Sequence, residues 1–143
     1  MPQGLPNPGF RSVKVENDKC LSHRFFPDLK TYTDAQGVCE TKSINGFETG
    51  RLLEPQTPSF NDKVYDESLV VFGGRKEAWL GMNARGGSWV YTSSGNDFGF
   101  GNWYPGQPND DAHDCAYWGH STTNEKWADH NCNDKKFFIC EFV

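Results

Sequence analysis

The sequence lacks the features that would place it in a membrane or on nucleic acid. No apolar run approaches the roughly 18 residues of a membrane helix. The start, MPQGLPNPGF, lacks the charged and apolar regions of a signal peptide, but this does not argue against secretion. The net charge is −5 and no run of Lys and Arg is present. We therefore expect no membrane insertion and no nucleic-acid partner.

Closely spaced cysteine pairs are also missing. None of the five cysteines stands at the two-residue spacing of a zinc knuckle or a thioredoxin-type redox centre. We interpret them as disulfide cysteines of a secreted, extracellular protein. Their spacing leaves the pairing open, and their odd number leaves one thiol over. The cysteines are Cys20, Cys39, Cys115, Cys132 and Cys140.

What is present describes one globular domain with two helices near its start. The chain has 143 residues, of which 36% are hydrophobic and 15% aromatic. The stretch TYTDAQGVCETK predicts a first helix capped by Thr31 or Thr33. The stretch SFNDKVYDESLVVF predicts a second helix capped by Ser59 or Asn61.

Strands and one long loop follow the helices. EAWLGM and SWVYT predict paired strands joined by the turn NARGG, and KKFFICEFV predicts a closing strand. Between Ser93 and Lys126 the chain is rich in Gly, Asn, Asp and Pro and shows neither helical nor strand periodicity. A loop of that length in a small domain is usually functional when it is ordered.

Several short motifs lie between Val13 and Val143, and their order along the chain is informative. They are AWLGM at 78–82, NWYPGQPN at 102–109, DC at 114–115, WADHNC at 127–132 and FICE at 138–141. In this order the sequence resembles a C-type lectin-like domain. The resemblance implies an α+β fold, with two helices flanking two small antiparallel sheets and a long ligand-binding loop. It places the domain at 13–143, after a flexible N-terminal segment at 1–12.

The resemblance also implies a disulfide pattern. It pairs Cys39 with Cys140 and Cys115 with Cys132. The first bridge closes nearly the whole domain, worth about 4 to 5 kcal/mol by loop entropy, and the second clamps the base of the long loop. Cys20 is then left over, either as a buried thiol or as an interchain bridge in a disulfide-linked dimer.

In family members that bind sugar through calcium, the loop supplies a Glu-Pro-Asn or Gln-Pro-Asp tripeptide. A Glu stands two residues before the third cysteine, and an Asn-Asp pair follows a Trp. Here Gln107-Pro108-Asn109 is a hybrid of the two tripeptides, His113 stands in place of the Glu, and Ala128 stands in place of the Asn. Asp129 remains from the pair. The resemblance therefore implies a calcium site that is weakened or lost.

Calcium is the candidate cofactor, since it needs about six to eight oxygen ligands and a sugar can supply two of them. Asp110 or Asp111 could replace a missing carboxylate, whereas only Asp114 survives from the family's second calcium site. The candidate ligands of a weak site are Gln107, Asn109 and Asp129.

The function implied by the resemblance is carbohydrate binding, with glycans or glycoproteins as partners. Gln107 favours a terminal galactose or N-acetylhexosamine over mannose. Any of the loop aromatics that face solvent could offer ring faces to a sugar, namely Trp103, Tyr104, Tyr117, Trp118 and Trp127. Family members, however, bury tryptophans at the positions of Trp103, Trp118 and Trp127. The residues predicted to bind sugar are Gln107, Asn109, Asp111, His113, Trp118, His120 and Asp129.

Two alternatives stay open, and catalysis is not expected. Many domains of this fold bind no sugar, so the chain could instead bind a protein or another non-sugar surface. His113, His120 and His130 crowd the loop beside acidic residues, but their spacing matches no zinc motif. No nucleophile elbow or catalytic triad can be recognised, so we expect no enzyme.

Overall fold

A computed structural model describes residues 10–14, 20–41, 50–109 and 112–142. It confirms the α+β class, with two helices and eight strands in this part of the chain. The elements, in chain order, are β1 (Phe10–Lys14), β2 (Cys20–Lys30), α1 (Tyr32–Thr41), β3 (Gly50–Leu52), α2 (Pro58–Val71), β4 (Ala78–Asn83), β5 (Val90–Tyr91), β6 (Cys115–Trp118), β7 (Ala128–His130) and β8 (Lys136–Phe142).

The strands form one hydrogen-bonded sheet rather than two separate small ones. Its order is β1-β2-β8-β4-β6-β7, with β3 beside β8 and β5 beside β4. The two expected antiparallel halves are joined because β4 and β8 pair in parallel, Ala78 with Phe137 and Trp79 with Phe138. The other pairings between the named strands of the described residues are antiparallel.

The sheet carries a hydrophobic cluster on each side. One cluster packs α1, through Tyr32 and Ala35, against Trp79 and Tyr117. The other packs α2, through Val64 and Tyr65, against a second set of core residues that includes the buried Trp118 and Trp127. Removing these apolar side chains from water is the main driving force for the fold.

Both predicted helices are present, but the second begins earlier than expected. In α1 the hydroxyl of Thr31 accepts a hydrogen bond from the backbone N–H of Asp34 at 3.3 Å, as one of the two predicted caps. In α2 the cap is Thr57, whose hydroxyl accepts from the N–H of Phe60 at 3.2 Å. The predicted caps Ser59 and Asn61 are wrong, because Pro58 already occupies the first helical turn.

The expected disulfides are confirmed. Cys39 bonds to Cys140 and joins α1 to β8, and Cys115 bonds to Cys132 at the base of the long loop. Cys20 begins β2, and its side chain lies outside the described residues.

The long loop from Ser93 to Lys126 is not structureless throughout. Cys115–Trp118 forms strand β6, in which every residue is buried. Alternation between apolar and polar residues is absent there because both faces of this strand are covered.

The N-terminal boundary remains a prediction. Residues 10–12, expected to belong to the flexible segment, lie in β1 and pair with β2, whereas residues 1–9 lie outside the described residues. Among the residues that the structure describes, no helix has the length and apolar character to span a bilayer.

Candidate functional site

The tripeptide Gln107-Pro108-Asn109 lies in a tight turn of the long loop. The N–H of Gln107 donates to the carbonyl of Tyr104 at 2.8 Å. Gly106 has a positive φ of 89°, a conformation that favours glycine. The Gln107–Pro108 peptide bond is cis. Asn109 is exposed and Gln107 half-buried, so the turn presents its amides at the surface.

Asp129 lies beneath this turn and is bonded to both ends of the tripeptide. Its carboxylate Oδ1 accepts from the backbone N–H of Asn109 at 3.2 Å. Its own backbone N–H donates to Oε1 of Gln107 at 3.4 Å, a long hydrogen bond. Asp129 is only 4% exposed. The structure therefore brings together three of the predicted site residues, with Asp129 as a buried support of the turn.

His130 lies on the face of the β6–β7 ladder that is opposite to Asp129. Asp129 pairs with Ala116, while His130 pairs with Cys115, and successive side chains of a strand point to opposite faces. The ring of His113 lies 5.3 Å from the ring of His130. His113 therefore lies beside His130, and its contact with a sugar at the turn stays a prediction.

Tyr117 and His120 lie close to these two histidines. We call the four side chains His113, Tyr117, His120 and His130 the histidine face. The rings of Tyr117 and His120 are 6.5 Å apart, and Tyr117 also contacts His130 at 5.6 Å. Nζ of the buried Lys136 lies 4.1 Å from the centre of the Tyr117 ring. Burial, followed by Lys136, lowers the pKa of His130, and burial raises the pKa of Tyr117 to about 12.

A zinc site is not formed by the histidine face in the described residues. No group of three or more His, Cys, Asp or Glu side chains is arranged there to hold a metal ion. His130 instead lies 2.8 Å from the Asp134 carboxylate through Nδ1, and His120 contacts the hydroxyl of Thr122 at 2.9 Å.

Trp118 is the predicted sugar-binding residue that the structure contradicts. It is 0% exposed and packs edge-on against Tyr65 of α2, with ring centres 5.4 Å apart. No face of the indole is open to a ligand, so the prediction is wrong. Trp127 is also fully buried, as expected, whereas Trp103 is half-buried and Tyr104 is 36% exposed.

Two buried side-chain amides support the loop in a way that was not predicted from the sequence. Asn61 of α2 accepts from the indole N–H of Trp127 at 2.9 Å and donates to the carbonyl of Glu125 at 3.1 Å. Asn102 donates to the same carbonyl at 2.9 Å and accepts from Lys126 at 3.1 Å. Because Trp127 directly precedes Ala128 and Asp129, these contacts fix the strand beneath the turn.

The described residues around the turn supply few of the oxygens that a calcium ion needs. The available side-chain oxygens are those of Gln107, Asn109 and Asp129, and two of them already accept backbone hydrogen bonds. Ala128 supplies no ligand, and Asp110 and Asp111 lie outside the described residues. Calcium sites use about six to eight oxygens, so this described set falls short.

Comparison with known proteins places the chain among lectin domains. The family model for the Lectin C-type domain matches residues 28–142. Tetranectin from Bos taurus is 33% identical over 124 residues, which cover 82% of this chain and 57% of tetranectin. Collectin-43 from Bos taurus is 29% identical over 121 residues, covering 80% and 34%. The chain thus spans only part of the length of these relatives.

Solved structures agree in fold. The C-type lectin CEL-I from Cucumaria echinata is similar with a TM-score of 0.77 at 20% identity, covering 92% of this chain and 96% of that one. Human lithostathine is similar with a TM-score of 0.79 at 22% identity, covering 99% and 94%. At these identities the likeness supports the fold alone.

Proposed function

The chain belongs to the C-type lectin domain family, and we propose that it is a secreted lectin whose turn at Gln107–Asn109 binds a terminal hexose. The favoured sugars are galactose and N-acetylhexosamines, ahead of mannose, with glycans or glycoproteins as partners. Calcium dependence is weakened or lost. Membership of a family of lectin domains agrees with the expectation that the chain is not an enzyme.

The observation that carries the proposal is the pair of hydrogen bonds between Asp129 and the tripeptide. The Asn109 N–H and the Gln107 Oε1 are both engaged by Asp129, so the turn is held by the protein's own groups. A metal bridge is then not required to order it. The exposed amide of Asn109 and the half-buried amide of Gln107 would contact the sugar hydroxyls directly.

The galactose-type preference has support from Gln107 and from one neighbouring ring. Tyr104 is 36% exposed, and its carbonyl closes the turn by accepting from Gln107. An exposed tyrosine offers a flat apolar face, which suits the apolar face of a hexose or an acetamido methyl. Of the other predicted contacts, His113 and His120 lie on the histidine face, and Asp111 stays an untested prediction.

A glycan array with and without chelator tests this proposal. We expect hits on galactose or N-acetylhexosamine termini that free sugar competes and that chelator largely leaves in place. Gln107→Ala or Asn109→Ala should weaken binding by about tenfold or more, equivalent to about 1.4 kcal/mol. Gln36→Ala on α1 and the exposed Asn133→Ala are matched controls that should bind normally.

The alternative function, binding of a protein or another non-sugar surface, makes the opposite prediction. An array without hits, obtained with a folded wild-type chain, would refute the lectin proposal and favour the alternative. Complete loss of the hits in chelator would refute the weakened calcium dependence while leaving the lectin function intact.

The disulfide-linked dimer through Cys20 also remains a proposal. A gel run without reductant should show a dimer band that disappears in Cys20→Ser. A monomer band for the wild-type chain would identify Cys20 as a thiol without an interchain partner.

A further inference from the structure

A cavity of about 500 Å³ lies away from the turn, between the segment after β3 and the loop after β5. Its size is within the range of small-ligand pockets, about 300 to 1,000 Å³. Neither Gln107 nor Asn109 lines it. We call it the Glu54 pocket, and its main lining residues are Arg51, Glu54, Tyr91, Ser93, Asp97 and Phe100.

The polar groups of the Glu54 pocket are held by hydrogen bonds around the buried Glu54 carboxylate. Glu54 is 3% exposed. Its Oε2 accepts from the backbone N–H of Ser93 at 2.9 Å, and its Oε1 accepts from the hydroxyl of Ser93 at 3.0 Å. Arg51 Nη1 donates to the same hydroxyl at 3.4 Å. Polar groups held in this way are already oriented before a ligand arrives.

Carboxylates outnumber cations around the pocket. Glu54 and Asp97 line it together with the single guanidinium of Arg51. That guanidinium is shared, since its Nε lies 3.7 Å from Glu54 Oε1 and 3.3 Å from Oε1 of the fully buried Glu141. Burial raises the pKa of Glu54, so the lining carries a net negative charge at pH values where Glu54 is ionised beside Asp97. Under those conditions the field disfavours anionic ligands and favours neutral or cationic ones.

An aromatic wall completes the pocket. Tyr91 donates its hydroxyl hydrogen to the carbonyl of Pro55 at 3.2 Å, which fixes the ring. Phe100 is half-buried and packs on Trp127 with ring centres 5.5 Å apart. Fixed hydroxyl, amide and carboxylate groups beside aromatic surface are the combination that binds a ring bearing several hydroxyls.

We propose that the Glu54 pocket is a second carbohydrate subsite, which takes a neutral or amino-bearing sugar residue and rejects acidic sugars. It is independent of the Gln107–Asn109 turn and of any metal. A chain with both sites could engage two residues of one branched glycan, or two glycans at once.

The test is an NMR titration of the ¹⁵N-labelled chain with galactose, galactosamine and galacturonic acid, which share a ring and differ in charge. We expect saturable shifts of the Ser93, Asn96 and Gly99 amide signals with galactose. Galactosamine should bind several-fold more tightly and galacturonic acid several-fold more weakly. Asp97→Asn should reduce this discrimination by charge while retaining galactose binding.

Two further variants separate the sites. Gly99 lines the pocket, so Gly99→Leu should fill part of it and abolish its shifts. The substitution should be tolerated, because a Cβ at Gly99 meets no atom within 4 Å. Gly86→Leu, which also has space around its Cβ, is the matched control in the β4–β5 turn. An unchanged thermal midpoint would show that the Leu variants are folded. The double variant Gln107→Ala/Asn109→Ala should keep the pocket shifts.

The outcomes distinguish the two proposals. Shifts confined to the Glu54 pocket would support the subsite and refute the turn as a sugar site. Shifts confined to residues 107–109 would overturn the subsite and leave the lectin proposal intact. Shifts at the pocket that persist in Gly99→Leu would also overturn it, since the filled cavity could not hold a sugar.

Discussion

The carboxyl group of Glu141 should make the stability of this domain depend on pH, and Glu141→Gln should remove that dependence. Glu141 is 0% exposed and accepts from the N–H of Glu54 at 2.6 Å and from Arg51 at 3.3 Å. Burial raises its pKa from the ordinary 4.5 to about 7, against the opposing effect of Arg51. Glutamine keeps an acceptor for both donors but cannot ionise.

The sign of the effect follows from proton counting. Between the unfolded pKa of 4.5 and the folded pKa of about 7, the native protein holds a proton that the unfolded chain has released. The free energy of unfolding therefore falls as the pH rises through this window. A shift of about 2.5 pKa units corresponds to about 3 kcal/mol, of which roughly 2 to 3 kcal/mol lies between about pH 5 and pH 8.

Urea unfolding followed by tryptophan fluorescence, with the disulfides intact, measures this difference. From about pH 5 to pH 8 the wild-type chain should lose roughly 2 to 3 kcal/mol more than Glu141→Gln. Glu141→Gln should also lower the free energy of unfolding by a constant amount at every pH, because the new amide N–H₂ lacks an evident acceptor. The test therefore compares how steeply the free energy of unfolding changes with pH in the two proteins. Parallel pH profiles would refute the reasoning and show that Arg51 keeps the buried carboxylate charged.

Two other substitutions test the packing beneath the loop. Asn61→Ala should destabilise the domain by about 1 to 3 kcal/mol in the same assay, because it removes the acceptor of the buried Trp127 N–H, whereas Asn102 still donates to the Glu125 carbonyl. An effect below about 1 kcal/mol would contradict it. Gly119→Ala should lower the free energy of unfolding by about 2 kcal/mol or more, with a lower thermal midpoint. A Cβ there would lie 2.0 Å from the Lys76 carbonyl oxygen, and the residue has a φ of +91°. Gly73→Ala, with a positive φ but open space, should cost less.

Much of the fold could be predicted from the sequence because its signals are local or carried by the family resemblance. The first helix follows from its apolar spacing and the Thr31 cap. Both disulfides follow from the resemblance, which the geometry confirms at Cys39–Cys140 and Cys115–Cys132. The start of α2 was also readable, since Thr57 followed by Pro58 is the usual order of cap and first helical residue.

The faces of the site could not be predicted, because they depend on strand register. β6 is buried on both sides and shows no alternation, so its pairing with β7 is invisible in the sequence. That pairing sends Asp129 toward the turn and His130 to the opposite face. The role of Asn61 was hidden for a related reason: an amide within a helix gives no sign that its partner is a tryptophan far along the chain.

The contacts beneath the turn indicate where calcium, if it binds, would act. Trp127 is held by Asn61, and the Cys115–Cys132 bridge closes the base of the loop. These contacts do not use the candidate calcium ligands. Among those ligands, Asp129 forms hydrogen bonds with Gln107 and Asn109 of the tripeptide. Chelation should therefore leave the turn ordered, with its amide signals unchanged in an NMR spectrum of the free protein. If chelator abolished sugar binding without changing those signals, the metal would belong to the sugar contact. If the signals broadened or moved, the hydrogen bonds of Asp129 would not suffice to hold the turn.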